Sequence, residues 1–316
     1  MKILHAYYDL RIAPLSFDFA WYLGVACAEA ERQDARLSVI LFYPFFRKSN
    51  LIEKGYRSGY HMWKLHNVLV RLCHLCPRVV EVVCNGSHRV YLREPHFPAS
   101  YNPGNVDLSS TLTPLPLTHK HLDAAMMGIK NRVIFESSAY ADGWFRARFG
   151  QKKIVVLNIR TSPHNALRNA SLALWYDVYM GIRRAGHHCV IIPDQDDYLA
   201  AQQYKAYDWE VIEEASMDLD LRLAAYRNAL CAVTWTGGTT APLLLSGAAF
   251  MMFGIWNESS AVSSKEFMSR KGPAFGIQPP WFHPARQIYD WAPGEFLTKD
   301  YVLDKALPWI AKLAAE

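Results

Sequence analysis

An apolar run, Cys231-Ala232-Val233-Thr234-Trp235, leads into Thr236-Gly237-Gly238-Thr239-Thr240-Ala241-Pro242 and then into Leu243-Leu244-Leu245. That order predicts strand, tight loop, helix. Two glycines let a backbone turn sharply and let a ligand come close. Thr239 or Thr240 suits the helix cap, and Pro242 suits the first helical turn. Strand followed so directly by helix is the unit of parallel α/β folds. The N–H groups at such a helix start, with the helix dipole, suit an anion such as phosphate. Taken alone, the stretch is equally a short threonine-capped loop.

The same alternation runs along the chain. In the first half, Lys2 to Tyr8, Leu37 to Phe42 and Val79 to Cys84 are predicted strands. Helical spacing covers Ser16 to Glu31, with Ser16 or Asp18 near its cap, and Tyr60 to Leu75. Residues 95–118 are rich in Pro, Ser, Thr and Asn and read as a long loop. In the second half, strands are predicted at 154–159, 188–192, 210–212, 231–235, 249–254 and 287–289. Helices are expected from Asn169 or Ser171 to Gly186, from Asp218 to Ala229, and from Asp300 to Ala315. The expected fold class is α/β with mostly parallel sheets, in two Rossmann-like domains. An N-terminal domain is expected over 1–130 and a C-terminal one over 150–300. Connecting or crossing helices are expected at 131–149 and 300–316.

With 316 residues, 51% of them hydrophobic, two ordinary cores are affordable. The net charge of +5 comes without a long basic run. It favours an anionic substrate or contact with the inner membrane surface, and does not point to nucleic acid. No apolar run approaches a membrane span. The amino terminus enters a strand at once without signal-peptide architecture, so a cytoplasmic location is expected. Cys73-His74-Leu75-Cys76 has metal-like spacing but no second pair follows, so no metal is expected there.

Chemistry is expected where the topology brings strand ends together. With strand order 3-2-1-4-5-6, the first and fourth strands of the second half are neighbours at the switch point, and ligands bind outside their carboxyl ends. One strand ends in Asn158-Ile159-Arg160-Thr161 and the other in the loop Thr236, Gly237, Gly238, Thr239, Thr240. The planar fork of Arg160 suits a phosphate. Arg168 is either a second phosphate contact or a support for the next helix cap. His164 in the same loop reads as structural or solvated. Asn257 and Glu258, after the fifth strand, suit ribose or sugar hydroxyls. Asp194 and Asp196 could hold a divalent cation, although Arg160 and the helix start would already neutralise a diphosphate. In the first half, Asp9 and Asp18 are the candidate general bases, beside Arg11 and Ser16. Tyr56 to Trp63, with Arg57, His61 and Lys64, is either an acceptor-recognising face or an ordinary basic helix face.

From Asp218 to Gly254 the chain resembles the donor half of heptosyltransferase-like glycosyltransferases of the GT-B type. The shared pattern is a helix, a strand, a small-residue loop, a helix and a strand ending in Phe-Gly, here Phe253-Gly254. Ile159-Arg160-Thr161 is similar to the strand-end arginine turn of fucosyltransferases. Thr236-Gly237-Gly238 stands where heptosyltransferases carry an acidic turn. The resemblance implies two Rossmann-like domains facing a cleft, a nucleotide-diphosphate sugar donor on the second and a glycan or lipid-linked acceptor on the first. It implies transfer of a hexosyl or deoxyhexosyl group in bacterial surface-polysaccharide synthesis, with Arg160 on the donor diphosphate. No cofactor is expected beyond the donor. The alternatives are a nucleotide-sugar epimerase and a non-catalytic nucleotide- or glycan-binding protein.

Overall fold

A computed structural model of the chain describes residues 2–10, 13–42, 58–85, 119–162, 166–195, 203–260 and 263–316. Arg11, Tyr56, Arg57, the 95–118 stretch, His164, Asp196 and Asp197 lie outside the described residues. The chain divides into two compact units, Met1–Phe135 and Glu136–Glu316.

The first unit has a three-stranded sheet, β1 (Lys2–Asp9), β2 (Ala35–Phe42) and β3 (Val79–Asn85), in the order β1-β2-β3. Both pairings are parallel, so β2 is central and is buried at seven of its eight positions. Parallel sheets need covered faces, and the sequence supplies them. Helix α1 (Phe19–Arg32) is rich in Ala and large apolar residues and is buried along most of its length. A helix apolar nearly all round sits inside a core rather than on a surface. Helix α2 runs through Ser58–Lys64, a π-helical stretch Leu65–Val70, and Arg71–His74. Helix α3 (His119–Met127) packs on α1.

The second unit opens with helix α4 (Ala139–Phe149), capped by the Ser138 hydroxyl, which accepts from the Ala141 N–H. Its sheet comprises β4 (Ile154–Asn158), β5 (His188–Ile192), β6 (Cys231–Trp235), β7 (Phe250–Phe253) and β8 (Gln287–Tyr289). The order is β5-β4-β6-β7-β8, all parallel. The expected strand at 210–212 is reduced to one parallel bridge, Val211 to Ile191, on the outer edge of β5. With that bridge as the third strand, the order is the expected 3-2-1-4-5-6.

Helix α5 (Leu172–Arg184) and the terminal helix α9 (Lys299–Ala315) cover one face. They contribute Trp175, Tyr179, Ile182, Val302, Trp309 and Ile310 to the main core. Gly181 lets the two helices approach, since a Cβ there would meet Leu303 Cδ2 at 2.8 Å. Ser171, not Asn169, caps α5, its hydroxyl accepting from the Leu174 N–H at 3.4 Å. Gly186 ends the helix at φ +88°, and the N–H of His187 reaches back to the Ile182 carbonyl. On the other face, helix α6 (Leu219–Asn228) starts at Asp218, whose carboxylate accepts from the N–H groups of Asp220 and Leu221. Helix α7 (Ala241–Leu244) follows β6, and helix α8 (Lys265–Lys271) follows β7.

Candidate functional site

The carboxyl ends of β4, β5 and β6 converge as switch-point reasoning requires. Arg160, two residues beyond β4, is only 7% exposed. Its guanidinium Nη1 donates to Asn169 Oδ1, and Asn169 in turn donates to the Ser162 carbonyl at 2.8 Å. Its aliphatic stem lies across Gly237, where a Cβ would stand 3.5 Å from Arg160 Cδ. The arginine and the Gly-Gly-Thr-Thr loop, 77 positions apart in sequence numbering, are therefore side by side.

The loop itself differs from expectation. Gly237 is extended at φ −167°, and neither it nor Gly238 is among the glycines at positive φ. The sharp turn is made instead by a 3-10 turn, Gly238–Thr240, and the glycine keeps the face of Arg160 clear of a larger side chain. Neither threonine caps α7 with its side chain. Thr240 folds back, donating its hydroxyl to the Gly237 carbonyl at 2.7 Å. Thr239 turns inward, its hydroxyl 3.4 Å from both Asn158 Oδ1 and Asp194 Oδ1. Both hydroxyls thus pin the loop. Because α7 has four residues, its summed dipole is small. Attraction for an anion would rest on the first N–H groups of the turn and on Arg160.

Beneath the loop lies a buried polar network that sequence reasoning missed. Arg222 on α6 is fully buried. It donates Nε to the Ala215 carbonyl at 2.9 Å, Nη2 to the Pro193 carbonyl at 2.6 Å and Nη1 to the Tyr226 hydroxyl at 3.3 Å. The Tyr226 hydroxyl donates to Asn158 Oδ1 at 2.8 Å, and Asn158 Nδ2 donates to the Ile192 carbonyl at 3.3 Å. Burial pushes the Tyr226 phenol above its ordinary range, and the Asp194 carboxylate adds to this against the opposing pull of Arg222. The phenol therefore stays protonated and serves as the donor to Asn158. The signal available in the sequence was helical spacing: Arg222 and Tyr226 stand four apart on the stripe that also carries Leu219 and Leu223. A charged residue on an apolar stripe implies buried partners.

Asp194 belongs to this network. Its Oδ1 accepts the Gln195 N–H at 2.9 Å as well as facing Thr239. No cluster of three or more His, Cys, Asp or Glu side chains placed to hold a metal occurs among the described residues. Cys76, from the metal-like spacing, has its Sγ 3.1 Å from Cys27 Sγ inside the first unit.

Arg168 and Glu258 frame the site through their backbones. The Arg168 carbonyl accepts Trp235 Nε1–H at 2.7 Å, and the neighbouring Leu167 carbonyl accepts Asn257 Nδ2 at 3.0 Å. Glu258 is exposed, with its N–H donating to Glu295 Oε1 at 3.3 Å. The Thr236 N–H pairs with the Phe253 carbonyl at 2.9 Å. So the loops after β4, β6 and β7 are tied into one rim. In the first unit, Asp9 ends β1 and is 4% exposed, and Asp18 is exposed at the N-cap position of α1 without a side-chain capping bond.

Among solved structures, the chain is similar to the glycosyl transferase family 9 protein from Veillonella parvula DSM 2008. The match has 9% sequence identity, covers 98% of this chain and 97% of that one, and has a TM-score of 0.59. It is also similar to the E. coli ADP-heptose lps heptosyltransferase II, at 11% identity over 99% of each chain with a TM-score of 0.51. No family model matches the chain. No curated protein matches it in sequence either. The likeness is one of fold, and the fold is GT-B-type, with two units built on parallel sheets.

Proposed function

We propose that this protein transfers a sugar from a nucleotide-diphosphate donor to a hydroxyl of a glycan or lipid-linked acceptor, in bacterial surface-polysaccharide synthesis. The observation that carries the reading is Arg160 lying against Gly237 at the carboxyl ends of β4 and β6. In this reading the acceptor oxygen bonds to the anomeric carbon as the bond from that carbon to the diphosphate oxygen breaks. The acceptor proton passes to a carboxylate of the first unit, and the nucleoside diphosphate leaves. With the Thr240 N–H paired to the Gly237 carbonyl, Arg160 and the Gly238 and Thr239 N–H groups at the start of the turn meet the charge developing on the leaving group. They are held in place beforehand by Asn169 and by Thr239, so little reorganisation is needed during reaction.

Arg160→Ala tests the site. It is expected to weaken nucleoside diphosphate binding by about 1.5–3 kcal/mol, the usual loss for a charge-assisted hydrogen bond. Calorimetry would read this, and an unchanged melting temperature would show an intact fold. Unaltered affinity would remove Arg160 from the site. A second test concerns metal. Arginine and backbone donors can neutralise a diphosphate alone, and Asp194 is already committed to Gln195 and Thr239. Sugar transfer is therefore expected to continue at full rate in EDTA. Loss of activity restored by Mg²⁺ or Mn²⁺ would assign the charge neutralisation to an ion.

A further inference from the structure

The Cys73-His74-Leu75-Cys76 segment plays no part in sugar transfer as read above. It closes α2 and leads into β3. Sequence spacing would pair Cys76 with Cys73, but the fold sets it against Cys27. Cys27 lies in the middle of α1, 49 positions away, and its Sγ is 3.1 Å from Cys76 Sγ. A disulfide holds its sulfurs at about 2.05 Å, so closing the bond asks for an approach of about 1 Å.

The thiols are not equivalent. Cys76 is lowered below the ordinary thiol range, first by the hydrogen bond from Cys27 and against the cost of burial, with the Arg78 and Val79 N–H groups and the Arg78 charge adding to it. Arg78 is itself fixed, donating Nη1 to the Ala35 carbonyl at 3.1 Å and Nη2 to Glu31 Oε2 at 3.4 Å. Cys27 is raised, first as the donor to Cys76 and then by burial. Cys73 is raised by burial and sits in the last turn of α2, where the helix dipole opposes a thiolate. The thiolate is the nucleophile of cysteine chemistry, so Cys76 attacks and Cys27 resolves. Both residues are nearly covered, at 2% and 3% exposure, while His74 and Pro77 on either side of Cys76 are exposed. An oxidant that reaches Cys76 must be small, and a peroxide is close to water in size.

We infer that Cys27 and Cys76 form a peroxide-oxidised dithiol site, closing to a disulfide between α1 and the turn that precedes β3. The Cys76 thiolate attacks one peroxide oxygen and the O–O bond breaks. Hydroxide leaves and takes up the proton that Cys76 had released, giving water, and Cys76 becomes a sulfenic acid. The Cys27 sulfur then bonds to Cys76 Sγ as the sulfenic hydroxyl departs with the Cys27 proton, as a second water. Two thiols lose two electrons and two protons, and one peroxide becomes two waters. The site stands independently of sugar transfer.

The test treats the whole chain with hydrogen peroxide, then unfolds, alkylates and digests it without reductant, and weighs the peptides. The expected product joins the Cys27 and Cys76 peptides, two hydrogens lighter than their sum, and is released by dithiothreitol. Cys73, Cys189 and Cys231, all buried, should remain alkylated. The crosslink should raise the melting temperature by roughly 5–15 °C, since it removes chain entropy from the unfolded first unit. With dimedone present during oxidation, Cys27→Ala should carry the adduct on Cys76, and Cys76→Ala should carry none on Cys27. Mapping of the wild-type chain needs neither variant to fold. Free Cys27 and Cys76 after peroxide has oxidised the exposed Cys84 would overturn the inference, and so would a Cys73–Cys76 link in their place. Absence of the Cys76 adduct in Cys27→Ala, or an adduct on Cys27 in Cys76→Ala, would overturn the assignment of Cys76 as the attacking thiol.

Discussion

Asp9→Asn is expected to lower sugar transfer by roughly 10²–10⁴-fold, the usual contribution of a positioned general base. Nucleoside diphosphate binding, proposed for the second unit, is expected to stay unchanged. The substitution keeps the size of the side chain, exchanges one acceptor oxygen for an NH2 donor, and removes the charge and with it the ability to take a proton. Asp9 sits where β1 ends, buried to 4% exposure, and its carbonyl accepts the Ala13 N–H at 2.8 Å. A carboxylate held on a rigid strand end keeps its geometry through a reaction better than one on a loop. The measurement is turnover with the true acceptor, alongside calorimetry with the nucleoside diphosphate. Wild-type turnover would move the base to another group, and Asp18 is next. It has no capping bond to α1 from its side chain. Its charge also reaches the buried Tyr8 phenol, which is raised by burial first and by Asp18 second.

Gly254→Ala is expected to destabilise the second unit by roughly 2–5 kcal/mol. Two independent effects add. Gly254 is at φ +64°, a conformation that costs an L residue about 1–2 kcal/mol. A Cβ there would also fall 2.6 Å from Trp235 Cζ2 and 2.8 Å from Cδ2. Forcing an atom into a filled space costs about 1–3 kcal/mol. The indole cannot step aside easily. It packs edge-on against Trp175 at 6.4 Å, Gly294 also lies against its six-membered ring, and its Nε1–H holds the Arg168 carbonyl. For a unit of this size the melting temperature should fall by roughly 5–15 °C. Since Trp235 ties the rim after β6 to the loop that carries Arg160's neighbours, nucleoside diphosphate affinity should fall as well. A melting temperature equal to the wild type's would show that the Trp235 cradle can relax.

The Phe253-Gly254 pair thus has a physical explanation that its sequence pattern did not give. As a pattern it only resembled a family. In the structure the glycine is required because a tryptophan from the neighbouring strand crosses its face in a left-handed turn.

What the sequence determined by itself is local. Runs such as Ile154–Asn158, His188–Ile192 and Cys231–Trp235 are apolar, short and bounded by turn residues, so each is a strand wherever it is placed. Asp218 and Gly186 mark helix ends because capping and left-handed termination involve only residues a few positions away. The strand order 3-2-1-4-5-6 is supposed from the doubly wound class rather than read from any local pattern, and the observed sheet order brings Arg160 and the 236–240 loop to one place. Tertiary structure alone decided what those residues touch. Thr239 and Thr240 carry the right atoms for helix caps, yet Asn158, Asp194 and Gly237 compete for their hydroxyls and win, since buried polar groups must all be satisfied at once. Arg222 can be buried only because carbonyls from residues 193 and 215 and the Tyr226 hydroxyl converge on it. Ala215 and Tyr226 are near in sequence, but Pro193 comes from the end of β5, outside any local window, and the charge could not leave water without all three.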